Sequence, residues 1–262
     1  MRKILAVLAA LVWCSPALGQ VIGPQSPVGG VTTSNNAAAG NIGEVLTAVC
    51  VGPASTATIT VTIATPGVVT WTAHPFSGTL PRQDICPVVF TTTGALPTGI
   101  TSGTTYWVIP STITANTFQI ATSVANAIAG TAVATSGTQS GTQTATAGSP
   151  LTSPNAANVT GLPLTAGDWD CYGSIVRSVT GSTSVTIANT SLSQTSATAG
   201  TLSDGSADQL GTAANVVGND FSRNVATREL LSATTNVFLV AKDTFSASTN
   251  KAYGTMFCRR AR

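Results

Sequence analysis

Residues 163–179 read PLTAGDWDCYGSIVRSV and set Asp168 and Asp170 on either side of Trp169. The chain carries nine acidic side chains, so two of them this close together are the first candidates for acid/base chemistry. On a strand they share a face about 6.6 Å apart, at a rise of ~3.3 Å per residue. That spacing is compatible with the carboxylate pair of an inverting glycosidase. Their neighbours argue for another role. Trp169, Cys171, Gly173 and Ile175 form one phase of the alternation; Asp168, Asp170, Tyr172 and Ser174 form the other. Ala166-Gly167-Asp168 has turn chemistry leading into the strand. The expectation is a turn Asp168 and an outward Asp170 flanking a core Trp169, with subunit contact as the job left to the two acids.

The other chemical candidates are sparse. His74 is the single His, and no Ser stands in a G-x-S-x-G elbow, so a hydrolase triad has no local framework. Asp204 and Asp208 lie in SDGSADQLG at 203–211, a Gly-containing loop with oxygens that calcium accepts. An EF-hand needs more ligands at fixed spacing and a closing Glu, so a solvated loop is expected. Trp71, Tyr106 and Trp107 are candidates for contact with a surface glycan. In TYWVI, Tyr106 and Val108 share one face and Trp107 and Ile109 the other, so one aromatic is expected to be exposed; the competing reading puts them in the core. Arg259, Arg260 and Arg262 close the chain. They read as a solvated tail, as a grip on phosphate or lipid, or as a grip on a carboxylate such as Glu44 or Asp170 of a neighbouring subunit. No catalytic, cofactor or metal residue is assigned, and an enzyme is not expected.

Bulk composition narrows the class. Asp, Glu, Lys and Arg make up 8% of the 262 residues, about a third of the usual share. Thr, Ser and Gly are abundant, as in all-β extracellular, surface or virion proteins. The formal charge is +2, but Arg2 and Lys3 lie in a leader. Without it, nine basic residues balance nine acidic ones, which argues against electrostatic capture of nucleic acid or anionic lipid. The leader itself, residues 1–19, has a short basic start, an apolar run from Ile4 to Trp13 and a small-x-small site at Ala17-Leu18-Gly19. It reads as a secretory signal peptide, too short in its apolar part to span a bilayer. Four Cys follow it: Cys50, Cys86, Cys171 and Cys258. An even count in an exported chain favours disulfides, with three complete pairings open. None is spaced as C-x-x-C or set near a His, so no zinc site is expected.

Residues 20–41 are rich in Pro, Gly, Asn and Ser without periodicity and predict an extended arm. From Glu44 onward, strand-like runs alternate with turn residues. TATITVTI at 56–63 sends Ile59, Val61 and Ile63 to one face. No long helix is expected, and the best candidate for one is NVATRELLSA near 224–233. Composition shifts near 64 and 147, with only Arg82 and Asp84 charged between them. The organisation expected is a β domain of residues 42–63 plus 148–262, interrupted by a small inserted β domain at 64–147.

Two resemblances attach to these motifs. GNIGEVLTAVC, NAANVTGLPLTAGDWDCYGSI and TNVFLVAKDTFSASTNKAYGTMFCRRAR resemble a domain of phage and prophage structural proteins, with Cys258-Arg259-Arg260 where Ala-Arg-Arg is usual and Ser248 where Gly is usual. The insert's FTTTGALPTGITSGTTYWVI and NTFQIATS are similar to a module of phage tail and virion proteins, in which His-Gly-Leu commonly replaces His74-Pro75-Phe76. More faintly, the host pattern looks like the jelly-roll heads of tumour-necrosis-factor-like trimers, an analogy of fold alone. That analogy implies an all-β antiparallel jelly-roll sandwich in which the strands of Cys50, Cys258 and Cys171 are neighbours and Cys86 is the odd one. The function implied is a non-enzymatic virion protein of the fibre, spike or decoration type. It would form a homo-oligomer, with a trimer favoured, contact other virion proteins and use its insert at the host surface. The alternative is an exported bacterial surface protein that binds glycan or a protein partner.

Overall fold

Short runs of β-branched and small residues, punctuated by Gly, Pro and Asn, favour strands over helices throughout. The computed structural model describes residues 39–50, 55–77, 84–179, 182–202, 205–210, 216–217, 221–246 and 250–261. The leader, nearly all of the arm, Arg82, Asp204 and Arg262 lie outside them. In chain order the strands are β1 (Val45–Cys50), β2 (Ser55–Val61), β3 (Val69–Thr70), β4 (Pro87–Thr92), β5 (Thr105–Val108), β6 (Thr117–Phe118), β7 (Ile120–Ala121), β8 (Gln143–Ala147) and β9 (Ser149–Pro150). They continue as β10 (Ala156–Leu164), β11 (Gly167–Val179), β12 (Ser184–Ser193), β13 (Ala207–Leu210), β14 (Val216–Val217), β15 (Phe221–Leu231), β16 (Thr235–Ser246) and β17 (Asn250–Arg260). All of these strands pair antiparallel.

Two sheets make the sandwich. The first runs β1-β17-β11-β15, with β9 beside β17; the second runs β10-β16-β12-β13, with β14 beside β12. From β9 onward successive strands alternate between the sheets except along β12, β13 and β14, which stay in the second. This is the jelly-roll path, and the last strand, β17, takes a central place between β1 and β11. The inward phase of β11 is the one expected: Trp169, Cys171 and Ile175 are buried between the sheets with Leu162, Leu192, Val237 and Leu239. Gly254 faces Ile175 across β17 and β11, and a Cβ there would stand 2.1 Å from the Ser174 carbonyl oxygen, so the strands reach this separation only with Gly.

The third sheet, β6-β3-β2-β8-β4-β5-β7, belongs to the insert. Its membership moves the expected boundary. Ser55–Val61 pairs with β8 and β3, not with the sandwich, so the insert's sheet begins at residue 55 and not at 64. Alternation placed Ile59 and Val61 on a buried face, as found, but a period of two does not say which sheet that face covers. Ile63, past the strand's end, is 46% exposed.

The insert is not a separate outward projection. Ile85, Trp107, Ile109, Val124 and Ala127 share one core with the sandwich residues. Thr160 of β10 donates a buried hydrogen bond to the Ile85 carbonyl at 2.8 Å, and the Ile85 amide donates to the Val49 carbonyl at 2.8 Å. All the described residues fall within one compact unit, Ala37–Arg262.

No long helix occurs among the described residues, as expected, and the best candidate for one proves to be a strand. NVATRELLSA lies largely in β15, with Val225, Glu229 and Leu231 buried in alternation. The α-helix among the described residues is α1 (Val124–Ala129), capped by the Ser123 side chain at its start and by left-handed Gly130 at its end. Fewer than two turns leave no 3.6-residue pattern to read. No described helix is long and apolar enough to cross a membrane.

Candidate functional site: a charged corner of the sandwich

Three motifs far apart in sequence meet at one corner. Glu44 precedes β1, Thr165 and Ala166 form the turn before β11, and Arg260 ends β17. Arg260 donates from Nε to Glu44 Oε2 at 3.1 Å and from Nη1 to the Ala166 carbonyl at 2.8 Å, and its Nη2 reaches Thr165 Oγ1. Its guanidinium carbon lies 4.3 Å from the Trp169 ring centroid, a cation–π contact. The indole Nε1 donates to the Thr165 carbonyl at 3.0 Å. Glu44 also accepts from the Gly40 amide at 2.7 Å. Arg260 and Glu44 are both buried, so the planar fork is matched on all sides by acceptors and an aromatic face, as guanidinium burial requires. The expected grip of the terminal arginines on Glu44 is therefore made by Arg260 within one chain.

The adjacent strand completes the corner. Arg228 of β15 binds Asp168 through two hydrogen bonds, Nε to Oδ1 at 2.6 Å and Nη2 to Oδ2. The Asp168 hydrogen bond and charge, aided by the charge of Asp170 and opposed by desolvation, hold the Arg228 guanidinium above its ordinary pKa. Asp170 is exposed and stands in register with Arg259 of β17 on one side and Arg228 on the other. The two acids thus face two bases. Of the two acids, Asp168 is tied bidentately to Arg228, and Asp170 is left on the exposed face.

The aromatic candidates lie elsewhere and inside. Trp71, Tyr106 and Trp107 are 4%, 4% and 5% exposed, which corrects the expectation of a displayed aromatic. Trp71 and Tyr106 belong to the insert's own core, and Tyr106 accepts the Thr101 amide at 2.9 Å. Trp107 packs against Phe238 of β16 with centroids 6.1 Å apart. Alternation assigned the two aromatics to opposite faces, but both faces of β5 are covered, one by the insert and one by the sandwich. His74 is buried against Phe76 and Phe118, and neither of its ring nitrogens has a hydrogen-bond partner among the described residues. Asp208 pairs with Arg223 at 2.8 Å, and no metal-holding group of His, Cys, Asp or Glu occurs among the described residues. Asn158 ties the loop at Ser196 and Ala197, and the Asn189 backbone carbonyl accepts from Arg177.

The cysteines resolve as Cys50–Cys86 and Cys171–Cys258. Cys171 and Cys258 face each other across β11 and β17, as the neighbour expectation allowed. Cys50 is not the third partner; it reaches out of β1 to Cys86 and ties the insert to the sandwich, so Cys86 is not the odd one.

The cluster that sequence reading missed is Arg177 and Asp243, both fully buried. Arg177 sits on β11 of one sheet and Asp243 on β16 of the other. Arg177 Nε lies 2.9 and 3.1 Å from the two carboxylate oxygens, while Nη1 donates to Thr190 Oγ1 at 2.9 Å and Nη2 to the Asn189 carbonyl at 2.7 Å. Asn250 adds a donor to Asp243 at 2.7 Å. The signal was parity: the apolar phase through Ile175, carried two residues further, arrives at Arg177.

Fold and site together define an all-β protein, a disulfide-tied jelly-roll sandwich with a docked β insert, whose charged groups hold strands to one another. No family model matches the chain, and no curated protein sequence matches it. Among solved structures it is similar to one of infectious bursal disease virus Gx strain, at 9% identity and TM-score 0.30, over 83% of this chain and 55% of that one. It is also similar to the uncharacterised protein lmo2446 of Listeria monocytogenes EGD-e, at 10% identity and TM-score 0.22, over 80% of this chain and 22% of that one. A cycloalternan-forming enzyme of Listeria monocytogenes gives 11% identity and TM-score 0.21, over 77% and 20%. The chain spans about half the length of the first and about a fifth of the others. At these scores none carries an argument about function.

Proposed function

We propose that this chain is a non-enzymatic structural subunit of a virion or prophage particle, of the fibre, spike or decoration type, that assembles through its sandwich. The observation that supports this reading is the use made of its few charges. Among the described acids, Glu44, Asp168, Asp208 and Asp243 are ion-paired within the chain. Asp84 accepts the Ser77 amide, Glu229 accepts from Gln194, and Asp170 lies in register between two arginines. All of these acids except the exposed Asp170 are engaged in the fold, as suits a rigid building block. The corner of Glu44, Trp169 and Arg260 also joins the three motifs that resemble phage structural proteins.

A second reading is an exported bacterial surface protein that binds a neutral glycan. Two disulfides favour an oxidising compartment. A cleft of about 340 Å³, lined by Thr105, Trp107, Pro150, Asn158 and Ser196 among others and by no charged side chain, gives that reading a place for a ligand. Fractionation of a producing culture on a density gradient separates the two. Co-sedimentation of the native chain with particles supports the structural subunit. Recovery only as free protein in periplasm or medium selects the surface protein, and recovery only as free cytosolic protein overturns both.

A further inference from the structure

The outward face of the β1-β17-β11-β15 sheet carries two adjoining rows. Phe257 and Tyr172 are cross-strand partners, with Thr47 and Ala226 beside them on the outer strands. Phe257 is 38% and Tyr172 43% exposed. One step toward the corner, Arg259, Asp170 and Arg228 stand side by side on β17, β11 and β15. Beyond them Leu230, paired with Asp168, is 73% exposed. The face therefore holds Phe257, Tyr172 and Leu230, the large exposed apolar side chains described on the sandwich strands, next to a row that reads plus, minus, plus.

We propose that this face is a self-association surface and that its occupant is the same face, or an overlapping part of it, on a second copy of the chain. The proposal rests on the structural-subunit reading and names its contact. Charge supplies the first argument. Arg259, Arg228 and, at the far end of β17, Lys251 stand against Asp170 and Asp168, so among the described residues the face carries a net charge of only +1 and meets its copy with little repulsion. Alternation also lets Asp170 of one copy sit opposite an arginine of the other. Size supplies the second. Strands of 6, 11, 13 and 11 residues, at ~4.8 Å spacing and ~3.3 Å rise, make a face of about 650 Å². Stable associations bury about 600–1,000 Å² per partner. Aromatic side chains at the centre with arginines at the edge match the composition of such contacts. A partner of strong single-sign charge, such as nucleic acid, finds no complement here.

The test is light scattering and sedimentation equilibrium on the full chain at micromolar concentration, with Phe257→Glu and Asp170→Arg as variants. The wild type is expected as a homo-oligomer. Phe257→Glu is expected to raise the dissociation constant at least about tenfold by setting a carboxylate in the apolar row. Asp170→Arg makes the charged row all positive and is expected to dissociate the oligomer. Mixing it with the Arg228→Asp, Arg259→Asp variant is expected to restore assembly as a mixed species, which a folding defect would not allow. A monomeric wild type, or an oligomer indifferent to Phe257→Glu, overturns the proposal. Neither outcome touches the particle association measured by the gradient, so failure of the contact and failure of the functional reading are told apart.

Discussion

Asp243→Ala isolates the buried ion pair that joins the two sheets. In the native chain Arg177 directs three hydrogen bonds to the Asp243 carboxylate, at 2.9, 3.0 and 3.1 Å, and both side chains are 0% exposed. The Ala variant keeps the Thr190 and Asn189 acceptors but removes the carboxylate that Arg177 pairs with among the described residues, leaving its positive charge inside the sandwich, and it takes from Asn250 the oxygen to which its amide donates. Breaking a buried pair in this way costs about 3–5 kcal/mol. Against a total stability of about 5–15 kcal/mol, that is a large fraction. For a chain of this size it corresponds to a fall in Tm of about 6–20 °C, at about 2–4 °C per kcal/mol. The double variant Arg177→Met, Asp243→Leu removes both charges and is expected to lose less than Asp243→Ala alone, since an apolar pair avoids desolvating ions. Urea unfolding followed by circular dichroism, with the m-value checked for constancy, measures both. A loss below about 1 kcal/mol for Asp243→Ala, the worth of a solvent-exposed pair, refutes the reasoning. So does a double variant less stable than the single one.

The disulfide between Cys171 and Cys258 closes 87 residues, and the chain-entropy estimate for such a loop is about 4–5 kcal/mol. Cys171→Ala with Cys258→Ala should therefore show a large drop in urea midpoint, and wild type in reductant should move the same way; an unchanged midpoint contradicts the cross-link. Trp107→Ala is expected to cost about 3–5 kcal/mol, because its ring fills the seam between insert and sandwich against Phe238. Equal stability of that variant, read by thermal melting, would place Trp107 outside the core.

The sandwich strands were largely legible because their signal is local. Parity along DWDCYGSI predicts Trp169 and Cys171 inside and Asp170 and Tyr172 outside, and the structure places them so. Parity misled where its premise failed. In TYWVI it predicts one covered face, whereas β5 is covered on both by different neighbours. In 56–63 it gave Ile59 and Val61 correctly as buried but also Ile63, which lies past the strand's end and is exposed, and it gave the wrong sheet, since the partner strand β8 lies 84 to 92 positions away. The buried Arg177 escaped because composition associates Arg with solvent; its counter-charge, Asp243, is 66 residues distant.

What the amino-acid sequence alone determined was the all-β character, the low and balanced charge, the even set of cysteines and the phase of β11. Each follows from residue type or from a two-residue period, which act over a few neighbours. Only the tertiary structure decided which cysteines pair, that Arg260 meets Glu44 and Trp169, and that Asp168 is held by Arg228. Those outcomes depend on strand order and register, set by the packing of two sheets over a shared core, and no local spacing encodes which distant strand becomes the neighbour.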